Sequence, residues 1–221
     1  MSPDRIYRHF CMMARALEVV GERWSLLIVR DLLLGPRRFT DLARSLSEIT
    51  PTRLTGRLRQ LEAAGIVTRR TSSEGRVVMY ALTDAGRELG PVVDALTLWG
   101  IEHARQPPLP GESLHPEPVM IGTKVWLSRY GVPPADPLAW VWRFPDDDYF
   151  TLRFGNGRWE LARGVAESAA VTVDAALEAW ARFLTSSRQH RRLPRKDIRL
   201  EASRTEAKRF ARAFAAELGP T

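Results

Sequence analysis

At 221 residues the chain is long enough for two domains, each able to bury a core of its own, so no metal or disulfide staple is required. Cys11 is the only cysteine, which excludes an intrachain disulfide and a cysteine-based zinc site and fits a reducing, cytoplasmic setting. The 33 Lys and Arg against 26 Asp and Glu give a formal charge of +7, suited to a polyanionic partner but equally to a solvated basic surface, so the position of the charges has to decide.

From Met12 to Val20, and again from Trp24 to Leu34, apolar residues recur at helical spacing, with Gly21 and Gly35 where helices stop. The second run holds the longest apolar stretch, but Arg30 and Asp31 interrupt it. It falls short of the roughly 18 to 20 residues of a membrane span, so a soluble protein with no membrane partner is expected. Phe39 to Ser45 predicts a short third helix with Thr40 early in it. Thr50 predicts the cap of a fourth, with Pro51 at the first helical position and Gly65 just past the end.

Ile66 to Thr71 and Arg76 to Leu82 predict two strands around the polar tip Ser72-Ser73-Glu74-Gly75. Thr83 then predicts the cap of a long helix through Leu89, Val93, Leu96 and Trp99 toward His103, which Pro91 either bends or restarts. The proline-rich segment 106–118 is the expected linker between a domain at 1–105 and another at 119–221.

In the second domain, Leu138, Trp140, Trp142 and Phe144 alternate along one predicted strand and Phe150, Leu152 and Phe154 along the next. Asn156-Gly157 signals a hairpin into Trp159 and Leu161, and Val171 and Val173 lie on a fourth strand. Asp174 is the expected cap of a helix bearing Leu177, Trp180 and Leu184. A strand at Ile198 to Glu201 and a closing helix with Phe210, Phe214 and Leu218 complete a mainly antiparallel α+β arrangement.

On a helical wheel Leu54, Leu58 and Leu61 share one face of the fourth helix. The opposite face carries Thr52, Gly56, Arg59 and Ala63, with Arg53, Thr55 and Gln60 at its margins: small residues that let a backbone approach, and side chains that can donate to guanine, pair with adenine or touch a thymine methyl. Nine arginines stand against four carboxylates between Arg37 and Arg76, so most of the molecule's excess charge lies there. Arg37, Arg38 and Arg76 are the expected phosphate contacts, and Thr40, Thr50 and Arg57 join the candidates. A solvated basic helix in a protein-interaction module is the plainer alternative.

GERWSLLIVRDLLLGPRRFTDLARSL, ITPTRLTGRLRQLEAAGIVTR and YALTDAGRELGPVVDALTLWG, with Cys11 ahead of them, resemble the HxlR family of winged helix-turn-helix transcription regulators, a branch of the MarR-like group. The resemblance implies double-stranded DNA as partner, a homodimer joined through the first helix and the long helix after the wing, a palindromic operator, and repression. FPDDDYFTLRFGNGRWELARG, AAVTVDAALEAWARFL and IRLEASRTEAKRFARAF resemble sterol-carrier-protein-like domains, which implies a cavity for a hydrophobic small-molecule effector. Trp140, Trp142, Phe150, Phe154, Trp159, Trp180 and Phe183 are the candidate lining, with a plain core as the alternative. The loop from Ser186 to Arg195 departs from that pattern by concentrating arginines.

Two further readings stay open. Cys11 is a candidate redox residue, because the resemblance places a cysteine before the first helix and Arg8 or His9 nearby favours a thiolate. A hydrophobic-ligand carrier without DNA binding is the other. His9, His103, His115 and His190 are scattered and fit neither a metal-ligand nor a nucleophile-base spacing, and Asp146-Asp147-Asp148 sits in a predicted turn. No enzyme activity, cofactor or metal is therefore expected.

Overall fold

The computed structural model describes Tyr7, 10–71, 77–145, 148–186, 192–194 and 196–218. The chain forms two compact units, 1–93 and 94–221.

Unit 1 opens with α1 (Met12–Val20) and α2 (Ser25–Leu32), then β1 (Arg37–Arg38), α3 (Phe39–Ser45), α4 (Pro51–Ala63), β2 (Val67–Thr71), β3 (Val78–Leu82) and α5 (Asp84–Arg87). The next helix, α6 (Gly90–His103), contains the point where the two units divide. The three strands form an antiparallel sheet in the order β1-β3-β2, with Tyr80 of β3 opposite Arg37 on one side and Arg69 on the other. Ile28, Val29 and Leu32 of α2, Leu42 and Leu46 around the end of α3, Leu54, Leu58 and Leu61 of α4, and Val67, Tyr80 and Leu82 of the sheet form one core. Rows of residues three and four apart on three short helices can bury together only if the helices cross over one another, and that crossing aims α4.

Thr83 caps α5 and not a continuous helix. Its hydroxyl accepts the Gly86 N–H at 3.0 Å, and the chain restarts at Gly90 with Pro91 in the first turn, where a missing N–H costs nothing. Val93 points into the core of unit 1 and Leu89 packs on it, so the row Leu89, Val93, Leu96 is divided. Val92, Leu96 and Trp99 are the large apolar side chains of α6 left to solvent among the described residues.

Unit 2 continues with α7 (Pro116–Tyr130), β4 (Leu138–Phe144), β5 (Asp148–Gly155), β6 (Arg158–Arg163), β7 (Val171–Ala175), α8 (Leu177–Thr185), β8 (Arg192–Leu193), β9 (Ile198–Glu201), α9 (Arg204–Ala213) and β10 (Glu217–Leu218). Its main sheet has the order β6-β5-β4-β7-β9, antiparallel except where β4 lies parallel to β7. Asn156 (φ 50°) and Gly157 (φ 75°) both adopt the left-handed backbone that a two-residue turn demands. The unit is thus a mixed α/β region.

Three details depart from expectation. α7 was not anticipated, because its Pro116 and Pro118 read as linker; prolines are tolerated in a first helical turn, where backbone N–H groups have no intrahelical acceptor. Asp174 does not cap α8. It lies on β7 and binds Arg143 Nε and Nη2, an interaction that raises the Arg143 pKa further above its usual range, and Ala176 occupies the cap position. Leu218 is not on the closing helix, which ends at Ala213; it pairs with Leu193 in the two-stranded β8-β10 ladder.

Candidate nucleic-acid interface

The helix α4 is defined at both ends by its own residues. The Thr50 hydroxyl accepts the Arg53 N–H at 3.4 Å, Pro51 takes the first position, and Gly65 follows the end at φ 72°. Leu54, Leu58 and Leu61 are buried, while Thr52, Arg53, Gly56, Arg59, Gln60 and Ala63 are exposed and Thr55 is half-buried. A Cβ added at Gly56 would meet nothing within 4 Å. Glycine inside a helix costs about 1 kcal/mol relative to alanine, and packing does not account for it at this position.

Arg57 stands apart from its neighbours. Its Nη2 lies 3.0 Å from Glu22 Oε2 and its Nη1 donates to Gln60 Oε1 at 2.7 Å. The guanidinium is thereby turned toward the junction of α1 and α2. Gln60 is tied to the same group through its carbonyl oxygen, which leaves its amide N–H2 as the part that can reach outward.

The acidic end of the face is neutralised locally: Glu62 Oε1 receives Arg69 Nε at 3.0 Å, and the Arg69 guanidinium lies 5.6 Å over the Tyr80 ring. Arg38 and Thr40 are exposed at the start of α3, where the Arg38 N–H donates to Asp41 Oδ2 at 3.1 Å, and Arg37 is half-buried on β1. Thr50 is exposed, although its hydroxyl serves the cap. Arg76 and the tip 72–75 lie outside the described residues. Arg70 was not among the candidates; it is exposed on the edge strand β2 and makes no ion pair among the described residues. The signal that could have singled it out is the paired Arg69-Arg70 just before a polar turn.

Thr83 adds a further tie between the end of α4 and the β2-β3 hairpin. Thr83 Oγ1 donates to the Gly65 carbonyl at 2.6 Å while accepting the Gly86 N–H. Gly86 lies so close to the Ile66 carbonyl that a Cβ there would stand 2.2 Å from its oxygen.

The aromatic candidates of unit 2 pack on one another. Trp140 meets Trp159 at 4.8 Å between ring centroids, Phe154 meets Trp159 at 5.1 Å, Trp142 meets Trp180 at 5.4 Å and Trp180 meets Phe183 at 5.1 Å. Phe150 sits beside Phe144, under the Arg163 guanidinium. Phe210 and Phe214 of the α9 segment fill the spaces among the tryptophans, so these rings form a packed core. Leu152 and Val173 are buried with them.

Cys11 precedes α1 with its thiol free and the residue half-buried. Arg8, His9 and the arginines at 188, 191 and 195 lie outside the described residues. Among the described residues no three His, Cys, Asp or Glu side chains gather as a metal site, and no helix is long and apolar enough to cross a membrane.

The HxlR-like helix-turn-helix family pattern matches residues 19–107. An uncharacterized HTH-type transcriptional regulator of Mycobacterium tuberculosis is 46% identical over 96 residues, which cover 43% of this chain and 60% of that protein. The regulator YvaP of Bacillus subtilis is 35% identical over 89 residues, 40% of this chain and 82% of YvaP. Reduced YodB from B. subtilis, a solved structure, is similar with a TM-score of 0.39 at 32% identity, covering 47% of this chain and 100% of its own. The chain thus spans about 60% of the length of the mycobacterial relative and most of the length of YvaP. On that coverage and identity, the chain belongs to the HxlR-like helix-turn-helix family of transcriptional regulators.

Proposed function

We propose that the protein binds double-stranded DNA by laying the outer face of α4 in the major groove, as a homodimer on a palindromic operator, and that it represses transcription there. The observation that carries this reading is the division of α4 into a leucine face sealed in the core and an outer face of Thr52, Arg53, Gly56 and Arg59. The side-chain-free gap at Gly56 gives a duplex backbone room to approach. Arg38, Thr40 and Arg70 serve as phosphate contacts, and Arg37 and Arg76 join them as contacts expected from the sequence. The test is a footprint and a salt titration with duplexes selected from a random pool. Protection with dyad symmetry and a steep fall of affinity with salt are expected, and affinity indifferent to salt sinks the reading.

The homodimer is supported by apolar side chains that a lone protomer leaves in water: Met12 and Met13 on α1, and Leu96 (53% exposed) and Trp99 (59% exposed) on α6. Cys11 begins the α1 segment, so a dimer joined there would bring two thiols near its seam. A redox response through Cys11 is kept as a second reading on that ground. A hydrophobic effector held by unit 2, read as sterol-carrier-like, belongs to the same proposal. The order of strands, hairpin and helices supports it, but the packed aromatic rings make their own core an unsuitable place for the ligand.

A further inference from the structure

We infer that unit 2 carries a binding site for a small amphipathic monocarboxylate, in a cleft walled by its portion of α6 together with α7 and α8. The cleft has a volume of about 290 Å³, just below the roughly 300–1,000 Å³ of drug-sized ligand sites. That size suits one ring or a short acyl chain. Each helix offers one stripe: Gly100, Ile101 and Ala104 from α6 and the segment after it, Val119, Gly122 and Trp126 from α7, and Ala181, Leu184 and Thr185 from α8. Those spacings of three and four put each set on a single helix face.

Two features mark the cleft as more than an imperfection of packing. Gly100 and Gly122 both lie inside helices, where glycine is unfavourable, and the usual reason for tolerating it is a close neighbour. Neither has one, because a Cβ at either position would meet nothing within 4 Å. Their missing side chains widen the cleft and relieve no crowding. Arg105 and Gln106 also line the cleft. Arg105 Nη1 reaches the Ser186 carbonyl only at 3.5 Å, and the side chain makes no ion pair among the described residues. A guanidinium has five N–H donors, so most of its capacity is open to a carboxylate whose apolar body lies against Ile101, Leu184 and the Trp126 indole. Thr185 is not the polar anchor, since its hydroxyl donates to the Ala181 carbonyl at 2.9 Å.

The site rests on reading unit 2 as a ligand module and does not depend on DNA binding, so it is tested by calorimetry on the full chain without DNA. The probes are 3-phenylpropanoate and its neutral counterpart 3-phenylpropan-1-ol. The carboxylate should bind about tenfold or more tighter than the alcohol, the expected size of one charge-assisted hydrogen-bonded contact. Arg105→Gln should collapse that preference to about twofold or less. Gly122→Phe should abolish binding of both probes while leaving the circular dichroism spectrum unchanged. No binding of either probe at millimolar concentration, equal affinities for the two, or a preference that survives Arg105→Gln would each overturn the assignment. So would tight binding to a folded Gly122→Phe. If that variant does not fold, the Arg105→Gln comparison alone decides, because Arg105 is exposed and its replacement leaves the packing intact.

Discussion

Arg57 on the fourth helix and Glu22 between the first two form an ion pair of 3.0 Å across 35 residues of sequence, with side chains only 17% and 27% exposed. Arg57, a DNA-contact candidate in the sequence, is thus tied to the junction of α1 and α2. Arg57→Ala should therefore lower stability by about 1–2 kcal/mol, for loss of a partly buried pair, measured by urea denaturation. If stability is unchanged while DNA affinity collapses, the residue belongs to the interface instead.

Arg59 makes no such pair among the described residues and is exposed on the same helix. Arg59→Ala should cost about 1–3 kcal/mol of DNA affinity and relax preference at one base position, whereas Arg76→Ala should weaken all sequences alike. Gel shifts on a set of single-base operator variants separate the two patterns.

Gly56→Ala should move stability and binding in opposite directions. Filling an open helical position gains about 1 kcal/mol of stability, since the new methyl meets nothing within 4 Å. The same methyl obstructs close approach of a duplex, so affinity should fall. Thermal melting and gel shift on one preparation check both halves, and a rise in affinity contradicts the groove placement.

Gly86→Ala should be damaging although the change is a single methyl. Its Cβ would lie 2.2 Å from the Ile66 oxygen and 3.1 Å from Leu82 Cδ2, and that carbonyl is already held by the Thr83 N–H at 3.0 Å. A loss of at least about 2 kcal/mol is expected from overpacking. A denaturation midpoint equal to wild type would show that the wing's exit has more room than the structure gives it.

Leu96→Glu should turn the proposed dimer into a monomer with little loss of protomer stability, since the side chain is exposed. Light scattering coupled to size exclusion reads the mass directly. An unchanged dimer moves the seam elsewhere.

Sequence reading reached the elements whose signals are local. Thr50, Pro51 and Gly65 delimit α4 through their own backbone chemistry, and Asn156-Gly157 needs nothing beyond its two positive φ values. It fell short where a distant partner decides. Glu22 claims Arg57, Arg143 claims Asp174, and the core of unit 1 takes Val93 while Leu96 of the same row stays outside. None of these choices is written in periodicity, because each depends on what the other elements bring alongside. α7 was obscured for a different reason: two prolines in its first turn imitate a linker, and the apolar residues that follow, among them Met120, Ile121 and Leu127, show their burial only once the sheet is in place.

The Thr83 hydroxyl acts in both directions, giving its proton to Gly65 and taking the Gly86 N–H. One oxygen thus rivets the tail of the α4 rod to the root of the hairpin, and any tug on the hairpin is felt by the rod. Serine preserves both bonds and should preserve that stiffness. Valine, of nearly the same shape, keeps neither, and would loosen the joint while the shared core still holds the two parts together.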